Sequence, residues 1–325
     1  MITVLSEADI AQIALSDDAI RTAVSAGLQA QAEGQAIAQP TTVFNPVPGR
    51  DDLIAVIQGA LPKENMALVK TVGGFPGNAA KALATNPGCL ILIETETGQI
   101  TGLMPAATIT TQRTAMVTAI GAISLARAGA RTLGCVGTRG IGVQAVRYIA
   151  GAIPLAKIRL CGRDPEQTKT AAHALSLELA VPVVPTATWD ACLAGADIFI
   201  DGTALPGDRP LLAPSSIRPG AVIIVFGAYS SLPVNIMEDI DRLVMDRWVA
   251  DGRGGLGPQT TAGHVTEAKV DALIGDVIAQ NTSPRRSDRD RILFCHRGVA
   301  ACDLMIASAL LAAATEAGIG TQIDF

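Results

Sequence analysis

The apolar positions of this chain follow two rhythms. In the N-terminal third, Ser16-Asp17-Asp18 caps an alanine-rich stretch and predicts a helix to about residue 32. Short apolar runs at 53–59, 66–72 and 89–94, separated by proline and glycine, read as strands. A long helix is predicted over 110–128, with the polar cluster Thr110-Thr111-Gln112-Arg113-Thr114 at its start. From residue 132 a regular alternation begins: strand 132–136, helix 141–151, strand 157–161, helix 165–179, strand 181–184 and a helix near 188–194. Strands at 197–201, 221–226 and 242–244 follow. Such alternation implies βαβ units in a doubly wound parallel sheet. Residues 252–263 and 281–290 are polar and turn-rich and read as surface loops, and an apolar helix over 299–317 is expected to pack back on the N-terminal domain. The fold class is therefore α/β: a Rossmann domain over 116–303, and a second, α+β domain for substrate binding and dimerisation over 1–115 with 304–325.

The most informative stretch is Leu133-Gly-Cys-Val-Gly-Thr-Arg-Gly-Ile-Gly-Val-Gln-Ala145. An apolar strand runs through a glycine-rich turn directly into a helix. Gly137, Gly140 and Gly142 let the backbone approach a diphosphate, which the free N–H groups and positive end of the helix attract. A glycine-rich turn is also a common plain connection, but here it follows the first strand of the βαβ series, where a dinucleotide diphosphate belongs.

The second strand of the series bears on which dinucleotide. NAD sites usually carry an acidic residue there for the ribose hydroxyl. This strand ends Arg159-Leu160-Cys161-Gly162-Arg163-Asp164-Pro165. Gly162 holds the acidic place and Arg163 follows, a guanidinium suited to a 2′-phosphate. Asp164 is shifted and reads as the cap of the next helix, whose first turn holds Pro165. The reading favours NADP(H) over NAD(H); the alternative makes Arg163 a solvated surface arginine.

Composition narrows the class. The 325 residues suffice for two domains, 49% are hydrophobic and 3% aromatic, so the core must be built of Ala, Val, Ile and Leu. A net charge of -5 with no basic block argues against a nucleic-acid partner. No apolar run reaches the roughly 18 uncharged residues of a membrane span, and the N-terminus lacks a basic signal region, so a cytoplasmic protein is expected. The six scattered cysteines form no Cys-x-x-Cys pair and read as small buried hydrophobes, and no metal site is expected.

Several segments together resemble the ornithine cyclodeaminase/mu-crystallin family. They are Leu68-Val69-Lys70-Thr71-Val72-Gly73-Gly74-Phe75-Pro76-Gly77-Asn78, then Thr85, Glu96-Thr97-Gly98, Thr110-Thr111-Gln112-Arg113-Thr114-Ala115, Gly142-Val143-Gln144-Ala145, Gly298 to Asp303 and Gly318-Ile319-Gly320-Thr321. By that resemblance Lys70 lies in the substrate pocket, where it polarises a carbonyl or imine or moves a proton, and Arg113 binds a carboxylate or a cofactor phosphate. Thr85, Val143, Gln144 and Thr203 match positions that line the cofactor in relatives, and a homodimer is implied. Against these stand the residues' plainer readings, an exposed strand lysine and a helix-surface arginine.

The chain also departs from the family pattern. After Pro40, where the family has a carboxylate-binding arginine, stand Thr41-Thr42-Val43, and Arg50 is the nearest cation. The stretch Phe226-Gly227-Ala228-Tyr229-Ser230-Ser231 has no counterpart of the cyclodeaminase aspartate. The turn 137–142 runs about two residues long. His296-Arg297 stands where a small polar residue is usual, and His296 reads either as a nicotinamide contact or acid, or as a packing residue. The resemblance implies an NAD(P)H-dependent reductase of a ketimine or cyclic imino acid such as pyrroline-2-carboxylate, an oxidoreductase acting on C–N bonds. The alternatives are a cyclodeaminase of a diamino acid with internally recycled NAD, and a non-catalytic NADP(H) or small-ligand binder of the mu-crystallin type.

Overall fold

The computed structural model describes residues 1–202, 212–227, 229–282 and 285–324. In chain order the first elements are β1 (Ile2–Val4), α1 (Glu7–Ile13), α2 (Asp17–Ala32), β2 (Ile37–Ala38), β3 (Thr42–Phe44), β4 (Leu53–Leu61), β5 (Met66–Gly74), β6 (Gly88–Glu94), β7 (Ile100–Pro105) and α3 (Ala106–Leu125). There follow β8 (Thr132–Val136), α4 (Gly140–Ala152), β9 (Lys157–Cys161), α5 (Pro165–Leu179), β10 (Val183–Thr186), α6 (Trp189–Leu193), β11 (Ile198–Asp201), β12 (Val222–Phe226) and β13 (Arg242–Met245). The last are α7 (Gly257–Thr261), β14 (Ala272–Leu273), α8 (Ile274–Ile278), β15 (Ile292–His296), α9 (Ala300–Ala317) and β16 (Thr321–Ile323).

Two compact units result, Met1–Arg113 with Val299–Phe325, and Thr114–Gly298. The sequence reading put the divisions at 115/116 and 303/304. The two units of the structure divide at 113/114, inside α3, and at 298/299, just before α9, so continuous helix runs across or beside both divisions. The shift matters because it moves Asp303 out of the Rossmann unit.

The first unit is built on a mixed sheet of order β16-β1-β7-β6-β5-β4-β2, with β3 pairing β4. Strands β4 to β7 are antiparallel neighbours, and Lys70 of β5 lies opposite Ile57 and Leu90. Side chains alternate between the faces of a sheet, so Leu68 and Lys70 of β5 share one face with Leu90 and Leu92 of β6 and Met104 of β7; all five are buried. Burying each apolar member contributes about 1.5–3 kcal/mol. Helices α2 and α9 pack against each other, and α9 also packs on β4, β5 and β6. Small residues set that approach. A Cβ on Gly27 would lie 2.8 Å from the Cys302 backbone, and one on Gly59 would lie 2.5 Å from the Ala300 Cβ. By length and hydropathy α9 could also cross a membrane, yet it lies half buried on this sheet and carries Asp303 and Glu316.

The second unit has a sheet of order β10-β9-β8-β11-β12-β15-β13-β14, and every pair in it is parallel. Order 3-2-1-4-5 in its leading strands is the doubly wound Rossmann arrangement, and the strand order reverses at β8. The strands are buried on both faces and read as near-continuous apolar runs.

Several elements differ from the sequence expectation. Elements α1, α8, β1, β2, β3, β7, β14 and β16 were not expected. The stretch 252–263, expected as a surface loop, holds α7 with Leu256, Gly257 and Gln259 buried, because its few apolar and small residues pack inward. Helix α3 begins at Ala106, so the cluster 110–114 lies one turn inside it and not at its start. Strand β15 was not expected, although it sits between β12 and β13 with every residue buried. Its run Ile-Leu-Phe-Cys-His has no period-two alternation, and a turn-rich stretch precedes it.

Candidate functional site

In the first unit three buried charges meet. Lys70, the single charged residue of β5, is 0% exposed. Arg113, the single charged residue of α3, is 7% exposed, and Asp303, in the first turn of α9, is 1% exposed. The Lys70 Nζ donates to Asp303 Oδ1 at 2.7 Å, and the Arg113 Nε donates to the same oxygen at 3.0 Å. Each element alone carries an unpaired charge on an apolar surface, a costly arrangement. Packing α9 onto the sheet satisfies all three.

One carboxylate between two cations leaves the cluster with one net positive charge. Burial pulls the Lys70 ammonium down to about 8; Asp303 opposes that pull and Arg113 reinforces it. Burial alone would push the Asp303 carboxyl up, but the Arg113 guanidinium and then the Lys70 ammonium hold it below the usual carboxylate range. Arg113 engages the carboxylate through Nε. Among the described residues no protein group takes its two terminal Nη groups, which leaves a planar pair of donors of the kind that grips a carboxylate.

Asp303 was not among the residues singled out for chemistry. A lone carboxylate inside the apolar run Ala-Ala-Cys-Asp-Leu-Met-Ile is a sequence signal, because a buried carboxylate demands a cationic partner.

In the second unit the glycine-rich turn lies at the C-terminal end of β8. Gly137 and Gly140 adopt φ of +120° and +53°, conformations that favour glycine. A Cβ on Gly142 would come 3.3 Å from the Cys135 Sγ, so its smallness permits close helix–strand packing. Helix α4 starts at Gly140 behind Arg139, whose side chain makes no capping bond. Among the described residues the first amides of α4 thus have no side-chain acceptor, and the turn fits a dinucleotide diphosphate. Val143 and Gln144 are half-buried in its first turn, Gln144 accepting a bond from Arg147 at 3.4 Å. Arg163 is exposed just beyond β9.

The other expected positions are distributed differently. Thr85 lies in the first unit, exposed, its carbonyl accepting from the Phe75 N–H at 2.8 Å. Thr203 falls outside the described residues. His296 ends β15, 1% exposed, stacked on Phe226 and Phe294 with ring centroids 5.6 and 5.2 Å away. Its Nε2 lies 2.9 Å from the Thr118 Oγ1. Next to it, the buried Asp246 accepts the backbone N–H groups of Arg297 and Gly298 at 3.0 and 2.7 Å and fixes the end of the strand. Arg50, the nearest cation after Pro40, forms an ion pair with the buried Asp52.

Known proteins resemble this chain along most of its length. It is 26% identical over 254 residues to the Delta(1)-pyrroline-2-carboxylate reductase of Paracoccus denitrificans (strain Pd 1222), covering 74% of this chain and 77% of that protein. Its fold matches the Delta(1)-pyrroline-2-carboxylate reductase of Thermococcus litoralis, solved in complex with NADH and L-proline, with a TM-score of 0.89 at 21% identity over 99% of this chain and 100% of that one. It likewise matches the iminosuccinate reductase of Paracoccus denitrificans in complex with NAD+, with a TM-score of 0.88 at 23% identity over 100% of this chain and 99% of that one. The model of the ornithine cyclodeaminase/mu-crystallin family matches residues 2–317, and the chain belongs to that family.

Proposed function

We propose that this chain is a nicotinamide-dinucleotide-dependent reductase of a cyclic imino acid or ketimine such as pyrroline-2-carboxylate. The observation that carries the reading is the Lys70–Asp303–Arg113 cluster, a buried site with one excess positive charge, a free guanidinium fork and an ammonium held at about 8. The similarity to a pyrroline-2-carboxylate reductase supports the same choice.

An imino acid presents a carboxylate and a basic nitrogen, and the cluster offers a partner for each. The Arg113 fork binds the carboxylate in a charge-assisted pair. Lys70 donates a proton or a hydrogen bond to the imine nitrogen, making its carbon electrophilic; a proton affinity near the working pH suits that exchange. Asp303 keeps Lys70 and Arg113 apart in charge and together in space, a positioning role. The turn at Gly137, Gly140 and Gly142, with Val143 and Gln144, would hold the dinucleotide, which would supply the hydride when bound. Gly162 and Arg163 favour NADP(H) over NAD(H). His296, between two phenylalanine rings and bonded to Thr118, is assigned to packing. A cytoplasmic homodimer completes the reading. The absence of a carboxylate over 226–231 speaks against the cyclodeaminase alternative.

The test is a screen of imino acids, keto acids with amines, and diamino acids, following reduced nicotinamide by absorbance. Oxidation of the cofactor with pyrroline-2-carboxylate or a related imine is expected. A flat trace across the panel refutes the reading, and ammonia release from ornithine without net cofactor turnover replaces it with the cyclodeaminase. Lys70→Ala is expected to abolish turnover and to spare dinucleotide binding.

A further inference from the structure

The turn after β8 carries a cation beside the glycines. Arg139 occupies the N-cap of α4, in extended backbone with φ −148° and ψ 168°. That position normally holds a residue whose side-chain oxygen accepts from the first amides. Arginine has no acceptor, and its charge adds to the positive end of the helix. Among the described residues Arg139 has no ion pair or side-chain hydrogen bond.

The turn is laid against the end of β9. The Gly137 N–H donates to the Cys161 carbonyl at 2.8 Å. A Cβ on Gly162 would lie 2.6 Å from the Thr138 Cγ2 and 2.7 Å from the Thr168 Oγ1, so the place of a ribose-binding carboxylate is closed to any side chain. The next carboxylate, Asp164, is committed to α5: its Oδ1 accepts from the Glu166 and Gln167 amides at 2.9 and 3.2 Å. Glu166 pairs with Lys169. The contact between Thr138 and Gly162 is therefore flanked in sequence by Arg139 on one loop and Arg163 on the other. Both are exposed and neither has a carboxylate partner among the described residues.

Two exposed guanidinium groups on touching loops offer paired forks to a multiply charged anion. We propose that Arg139 and Arg163 together bind the 2′-phosphate of NADP(H), and that Arg139, supplied by the turn itself, is a specificity-determining residue. This rests on the dinucleotide reading given above. A phosphate monoester offers three oxygens and nearly two charges, enough for one fork from each loop, and the diphosphate remains with the amides of α4.

The experiment measures dissociation constants for NADPH, NADH, adenosine 2′,5′-bisphosphate and adenosine 5′-monophosphate by calorimetry on the intact protein, wild type beside Arg139→Ala, Arg163→Ala and the double variant. Wild type is expected to bind NADPH more tightly than NADH, and the bisphosphate more tightly than the monophosphate. Each single variant should weaken NADPH and the bisphosphate roughly 10- to 100-fold, the worth of a charged hydrogen bond. NADH and the monophosphate should move less than about twofold, which also shows that the variants are folded. Arg139→Lys should recover part of the loss. If Arg139→Ala leaves NADPH binding unchanged where Arg163→Ala weakens it, the paired clamp is refuted and the NADP(H) preference stands. Equal wild-type affinity for the two dinucleotides refutes the clamp together with the preference, and binding of neither refutes the dinucleotide reading itself.

Discussion

Replacing Asp303 by asparagine removes one negative charge and almost no volume from a cluster in which it is the shared partner of two cations. Lys70 is held at about 8 by the opposition of burial and Asp303. With the carboxylate gone, burial and Arg113 act together and nothing opposes them. Loss of an adjacent opposite charge commonly moves a titration by about 1–3 units. The alkaline limb of kcat/KM, which reports groups of the free enzyme, is then expected to move from near pH 8 in the wild type to roughly pH 5–7 in Asp303→Asn. Measured at pH 8, the variant should lose about fivefold or more, because most of its Lys70 is neutral. The change also leaves buried cations uncompensated, a loss of about 3–5 kcal/mol of stability by urea denaturation. Asp303→Glu keeps the charge and should keep the limb near that of the wild type, even where displacement of the carboxylate lowers kcat. A folded Asp303→Asn protein with an unmoved alkaline limb would refute the argument that this carboxylate sets the proton affinity of Lys70.

Stability should respond to pH through the same lysine. Its folded value of about 8 lies below the ordinary 10.5, so between these the unfolded chain binds more protons and this group makes stability rise with pH, by about 3 kcal/mol in all. The buried thiols Cys192 and Cys295, pushed up by burial, act in the opposite sense above pH 9, so the rise is read as the difference between wild type and Lys70→Met; equal pH dependence of the two counts against it. Gly121→Ala places a Cβ 2.3 Å from two ring atoms of the fully buried Phe294, and a loss of about 1–3 kcal/mol is expected, partly restored by Phe294→Leu. An unchanged denaturation midpoint would overturn that prediction. Asp197 accepts from Arg127, Arg218 and the Arg131 and Thr132 amides while 3% exposed, so Asp197→Ala should cost about 3–5 kcal/mol. Glu178→Ala breaks only the exposed pair with Arg147 and should cost under about 1 kcal/mol, so similar losses in the two would refute the distinction.

Much of the second unit was readable because its rules are local. A cap such as Asp164-Pro165, a strand such as 157–161 and a turn needing positive φ at Gly137 and Gly140 are each settled within a few residues. The start of α3 was misplaced because Ala106 to Ile109 carry no capping signal of their own. Strand β15 is a run of five residues directly after the turn-rich stretch 281–290, and its parallel partners lie 70 and 50 positions earlier (Ile292 beside Val222 and Arg242).

By itself the sequence determined the βαβ alternation, the glycine turn, and the family to which the chain belongs, since periodicity, backbone permissiveness and short motifs are written in adjacent residues. By resemblance to that family it also singled out Lys70 and Arg113. Only the tertiary structure decided what answers those charges. Asp303 stands 233 residues from Lys70 and 190 from Arg113, and no local pattern links them. The close approach of α9 over Gly27 and Gly59 brings the carboxylate to both, because a charge buried without a partner costs more than any other arrangement the fold could have kept.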